Sequence, residues 1–200
     1  MKRISIFFVS VLVMVIGLSV CAHAALVDMH DGTIYETDTQ LSWLKDAGAG
    51  GVKSATQAAA WAAGLKVGGL TGWRLPNADP ACGFSYNCRN GEMGHLYYVS
   101  LGNHEGRLTS TGPFINLNHN PANPFSLYWS GAVFEPKPIN DESDPEPPGW
   151  WLFNFYDGNQ LGGGQGGSYS AWAVRPGARS EPKPEPTGGT GGTGSDKDAK

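Results

Sequence analysis

Residues 150–156, Trp-Trp-Leu-Phe-Asn-Phe-Tyr, constrain this chain more than any other stretch. In an extended chain Trp151, Phe153 and Phe155 point one way, and Trp150, Leu152 and Asn154 the other. A strand this dense in aromatic rings demands a layer to pack against. Asp157-Gly158 follows at once, a pair that favours a hairpin turn, so the strand has an antiparallel neighbour. Residues 127–134 read as another strand. Residues 169–175 read as a closing strand with Trp172 and Val174 on one face.

The first part of the chain differs. Residues 26–43 read as short strands joined by polar turns, with Ile34-Tyr35 and Leu41-x-Trp43 as the apolar marks. Ser54-Ala55-Thr56-Gln57 is a capping box, S-x-x-Q, which opens a helix. Ala58, Trp61, Ala62 and Leu65 then share one face, and Gly68-Gly69 is the expected stop. Trp61 is read as a core residue. A second helix is expected over residues 92–101, where Met93, Leu96, Tyr97 and Leu101 share a face. Strands, two helices, then antiparallel strands make an α+β pattern. With 29 glycines and 7 tryptophans, it should be loop-rich, its few large aromatics doing most of the burying.

Both ends fall outside this pattern. Lys2 and Arg3 precede an apolar run to Val20, and Ala22-His23-Ala24 is an A-x-A cleavage site. Residues 1–24 therefore read as a secretory signal peptide. The run is short for a membrane anchor. Cys21 raises the alternative of a lipoprotein, but Val20 before it is bulky where a small residue is needed. The expected location is secreted, periplasmic or cell-surface, with no transmembrane segment after cleavage. Residues 178–200 are Pro/Glu/Lys-rich, then Gly/Thr-rich, and carry no aromatic residue. They read as a disordered tail or linker. The folded unit is then residues 25–177.

Losing Lys2 and Arg3 takes the formal charge from −4 to −6. An acidic chain without a basic run is not expected to bind nucleic acid. Two cysteines remain, Cys82 and Cys88. In an oxidising compartment they read as a disulfide, worth roughly 2 kcal/mol for so short a loop. A zinc site would need further N/S ligands, and the spacing is wrong for a redox C-x-x-C.

Several phrases recur in a telling order: Leu41-Ser42-Trp43, the Trp61 helix, Gly72-Trp73-Arg74-Leu75-Pro76 and Tyr128-Trp129-Ser130-Gly131. Trp151-x-x-Asn154-Phe155-x-Asp157-Gly158 and Ala173-Val174-Arg175-Pro176-Gly177 complete the set. Together they resemble the bacterial domain of unknown function DUF1566, also called the Lcl C-terminal domain after a collagen-like adhesin of Legionella. The resemblance covers residues 25–177. It implies a C-type-lectin-like fold: a small α+β domain with two helices, short antiparallel sheets, long loops and paired terminal strands. For the adhesin it implies sulfated-glycan binding and self-association. This chain departs from the adhesin in lacking a collagen region and in being acidic.

Candidate sites follow. Arg74 is expected to be half-buried, stacked on tryptophan and tied to a carboxylate, rather than free to bind anions; Arg175 is read alike. The acidic, proline-rich residues 135–149 carry Glu135, Asp141, Glu142, Asp144 and Glu146. Asp141, Glu142 and Asp144, with Asn154 and Asp157, form a candidate calcium set, although the lectin E-P-N signature is absent and such loops are usually only solvated. Trp150, Tyr128 and Tyr86 are candidates for an aromatic sugar platform, with core packing as the alternative for each.

His95 is read as a core or capping residue. The chain has no H-E-x-x-H and no G-x-S-x-G. Formylglycine-generating enzymes, of related fold, bind copper through a cysteine pair near the domain's end, whereas Cys82 and Cys88 sit mid-chain. The expectation is a non-catalytic, exported binding module for glycan or another surface ligand. The alternatives are a self-associating, homo-oligomeric surface protein and a cryptic enzyme.

Overall fold

A computed structural model of the chain describes residues 25–117, 126–135, 148–163 and 166–177. The leader, the tail and the acidic positions Asp141, Glu142, Asp144 and Glu146 lie outside the described residues. In chain order the strands are β1 (Leu26–Asp28), β2 (Thr33–Glu36), β3 (Leu41–Leu44) and β4 (Val52–Lys53). After the helices come β5 (Leu127–Phe134), β6 (Gly149–Asn154), β7 (Gln160–Gly163), β8 (Tyr169–Ser170) and β9 (Val174–Pro176). Two sheets form, ordered β1-β2-β3-β9 and β4-β8-β5-β6-β7. The α+β architecture expected from the sequence is present.

The aromatic strand behaves as its sequence demands. In β6, Trp151, Leu152 and Phe153 are all buried, because β5 and β7 flank the strand antiparallel on both edges and the sheet is covered on both faces. The Asp157-Gly158 turn closes the β6–β7 hairpin through Asn154 N–H to Asn159 O at 2.9 Å. Gly158 sits at φ 84°, and a Cβ there would strike the Tyr98 hydroxyl and the Tyr97 ring. Glycine is required by both backbone and packing.

Helix α1 (Ala55–Ala63) carries the full capping box: Ser54 Oγ accepts from Gln57 N–H, and Gln57 accepts from Ser54 N–H. It is shorter than expected. It ends at Gly64, not at Gly68-Gly69, as Gly64 N–H closes back onto Ala60 O at 3.1 Å. Leu65 lies past the end, packed against the core. Trp61 is partly buried, with the Lys53 ammonium 4.9 Å above its ring.

The second helix opens as α2 (Glu92–His95) and widens into a π-helical turn, Leu96–Ser100, marked by Leu101 N–H to Leu96 O at 2.9 Å. Its expected apolar face is buried: Met93, Leu96, Tyr97 and Leu101.

The closing strand is not continuous. β8 pairs with β4 and touches β5, while β9 pairs with β3 in the other sheet. Between them Ala171-Trp172-Ala173 passes through the core, fully buried. Period-2 reading cannot see such a sheet switch, since the buried pattern runs straight through it. Trp172 is the hub of the interior. Its ring lies 5.0 Å from Trp43, 4.9 Å from Phe114 and 5.6 Å from Phe155, and its Nε1 donates to Leu44 O at 2.8 Å.

The Cys82–Cys88 disulfide is formed, with the Cα atoms 5.8 Å apart. Among the described residues, no helix is long and apolar enough to cross a membrane.

Candidate functional site

The Gly72–Pro76 phrase runs beside β9: Arg74 exchanges both backbone hydrogen bonds with Val174, each 2.9 Å. Extended alternation buries Trp73 and Leu75 and turns Arg74 outward. Its guanidinium meets Glu92, the first residue of α2, through two parallel bonds: Nη1 to Oε2 at 2.7 Å and Nη2 to Oε1 at 2.6 Å. Nη1 also donates to Leu75 O at 3.0 Å. The Glu92 bonds hold the Arg74 pKa above its ordinary value against the opposing effect of burial. Glu92 Oε2 further accepts from Asn77 N–H at 2.7 Å. The expected carboxylate partner of Arg74 is thus Glu92. Arg175 instead ties its Nε to Thr71 O at 2.9 Å.

An open cleft of about 240 Å³ lies over this pair. It is lined by Ala59 and Ala63 of α1, by the Trp73-Arg74-Leu75 segment with Asn77, and by Gly131 and Trp150. The ladder between β5 and β6 breaks between Trp129 and Val133, and Gly131 sits in that break. Gly131 N–H reaches Pro76 O at 2.7 Å. A Cβ on Gly131 would lie 3.3 Å from Leu75 O and 3.4 Å from Asn77 Oδ1, so a side chain here would crowd the cleft.

The cleft holds unspent hydrogen-bonding capacity. Arg74 keeps its Nε–H and one Nη2–H outside the Glu92 and Leu75 bonds. The exposed Asn77 amide makes no side-chain hydrogen bond among the described residues. Trp150 is half-buried and adds an apolar wall.

Of the three platform candidates, Trp150 alone lines this cleft. Tyr128 is 1% exposed, stacked edge-on against Phe155 at 5.3 Å; it is a core residue, because β5 turns that face toward Trp172. Tyr86 is 41% exposed but stands in the disulfide loop, with its hydroxyl 3.5 Å from Asp157 Oδ2. The two described members of the calcium set serve the turn after β6. Asn154 Oδ1 accepts from Tyr156 N–H and Asp157 Oδ1 from Asn159 N–H, both at 3.0 Å. Glu135 is exposed at the end of β5.

A histidine and two carboxylates converge elsewhere. Donor atoms of Glu36, Asp38 and His95 lie within 4.8 Å of one another. Glu36, fully buried, already accepts from Trp43 Nε1 at 2.9 Å, Thr39 Oγ1 at 2.6 Å and Ser100 Oγ. His95 Nε2 pairs with Asp38 Oδ2 at 2.6 Å. His95 is therefore neither core nor cap; it pins α2 to the β2–β3 turn. Three ligands fall short of a calcium shell.

Sequence reasoning missed Asn77, Gly131 and the two alanines of α1. The signal for Asn77 was its place directly after the Gly72–Pro76 phrase. Gly131 stood at the end of the Tyr128–Gly131 phrase; nothing local marks the two alanines, which reach the cleft only through tertiary packing.

The family model of the Lcl C-terminal domain matches residues 32–175, and the chain belongs to that family. No curated protein matches the chain, and no solved structure does.

Proposed function

We propose that this Lcl C-terminal domain protein is an exported, non-catalytic binding module on a C-type-lectin-like frame, and that its ligand is a glycan seated in the Trp150–Arg74 cleft. The observation that carries the reading is the composition of the cleft wall. A half-buried tryptophan shares the lining with an arginine and an amide that keep free donors and an acceptor. An aromatic face stacks on the apolar side of a pyranose, while fixed polar groups orient its hydroxyls. An arginine held by a carboxylate, beside a carboxamide, is suited to binding rather than to proton transfer, since neither group titrates near neutral pH. Export rests on the leader-like residues 1–24.

A glycan array probed with residues 25–200 tests this. Signal that persists in a chelator and falls at least ~10-fold in Trp150→Ala is expected, because the cleft needs no cation. Signal abolished by chelator and restored by calcium would move the site to the acidic segment and Asp157. Undiminished binding by Trp150→Ala would refute the cleft.

A second reading, self-association at a cell surface, is favoured by a different feature. Phe84 is 64% exposed and packs 5.2 Å from Phe134 and 5.5 Å from Trp151. Sedimentation that depends on concentration, and is relieved by Phe84→Ser, would establish it.

A further inference from the structure

We infer that the cleft selects uncharged sugar rings and turns away sulfated and carboxylated ones. This rests on the glycan reading above and adds the ligand's charge class. Among the described residues, Arg74 is the only charged side chain on the cleft wall, and its guanidinium is clamped in parallel by both oxygens of Glu92. The pair sums to zero. Glu92 is the more enclosed partner, its side chain 18% exposed against 35% for Arg74. A sulfate approaching Arg74 must either stop beside a carboxylate or displace it. Displacement strands an enclosed charge, which is strongly unfavourable. It also gives up the Asn77 N–H bond that Glu92 holds at 2.7 Å. The remaining Arg74 N–H groups and the Asn77 amide suit neutral hydroxyls, which neither compete with Glu92 nor add charge. The formal charge of −6 on residues 25–200 opposes anions further.

The direct test is Glu92→Gln, of the same size, which unmasks the guanidinium. Wild type and variant are titrated with chitohexaose, cellohexaose and mannohexaose as neutral probes, and with heparin and chondroitin sulfate as anionic ones. Wild type is expected to bind a neutral probe at least ~10-fold tighter than either sulfated one, with an affinity that barely changes between low and high salt. The variant is expected to gain ~10-fold or more for the sulfated probes, and that gain disappears in high salt.

Preferential, salt-sensitive binding of sulfated probes by wild type would overturn the inference while leaving the glycan reading intact. So would a folded Glu92→Gln protein with no gain. Should the variant unfold, the wild-type probe preference and salt dependence still decide the question. If wild type binds no probe of either class, the glycan reading fails and the inference with it.

Discussion

At the residue scale the cleft depends on one absent side chain and one clamped charge. Gly131→Val would place branched carbon between Leu75 O and Asn77, where even a Cβ is 3.3 Å from the carbonyl. Glycan signal should fall several-fold while the melting temperature moves little, since Gly131 is exposed at a break in the ladder; calorimetry and the array report the two separately. The same residues show what sequence could tell. Arg74 between Trp73 and Leu75 was legible as half-buried and carboxylate-bound, because alternation in an extended segment fixes which neighbours go inside. Its partner was not, since Glu92 lies 18 residues away and no local pattern records that pairing. Trp150 and Tyr128 had equal standing as surface aromatics. They part only because β6 begins at the cleft while β5 faces Trp172, a matter of layer packing that strand period does not encode.

At the element scale the capping box was legible and the helix end was not. Ser54 Oγ to Gln57 N–H is a fixed three-residue geometry, whereas termination at Gly64 rather than Gly68 depends on where the chain must leave α1. Ser54→Ala should cost about 1 kcal/mol, measurable as a shift of the urea midpoint at unchanged slope. The segment from β8 to β9 is the more consequential element. Trp172→Ala would remove the ring shared by Trp43, Phe114, Tyr128 and Phe155. About 3–5 kcal/mol is expected for a buried tryptophan, a large share of a domain's margin. The variant should show lost near-ultraviolet dichroism at ordinary temperature.

At the scale of the whole molecule the packed interior sets the response to pH. Burial, the first cause for each, raises the pKa of Tyr97 and of Tyr98. Asp157 acts in the same direction on both, and Tyr98 does so on Tyr97. For Tyr98 a backbone hydrogen bond with Asn87 opposes the rise. The folded state thus holds these phenols neutral. Their contribution is fully present below the unfolded-state value of ~10 and is lost as pH rises through the folded pKa. Thermal melts at increasing alkaline pH should show the midpoint falling from about pH 10 upward; Tyr97→Phe should blunt that fall.

In acid the sign reverses. Burial alone would raise the Asp28 pKa, but the Lys45 hydrogen bond and the His30 backbone N–H outweigh it and leave it lowered. That small surface contribution is present above ~4 and lost below.

The passage of residues 169–176 from one sheet into the other also governs the order in which the molecule can be made. β9 completes the first sheet, against β3, and β8 joins β4 to β5 in the second. The second sheet lacks a strand until Ser170 is made and the first until Pro176 is made, and β4 and β3, with which β8 and β9 pair, lie more than a hundred residues upstream. Such distant contacts are slow to form, and an emerging chain holds no finished unit before its last strand is free. A chain stopped at residue 170 should stay protease-sensitive and expanded in sedimentation. With β9 present, folding is expected to come late, after most of the described strands have been made.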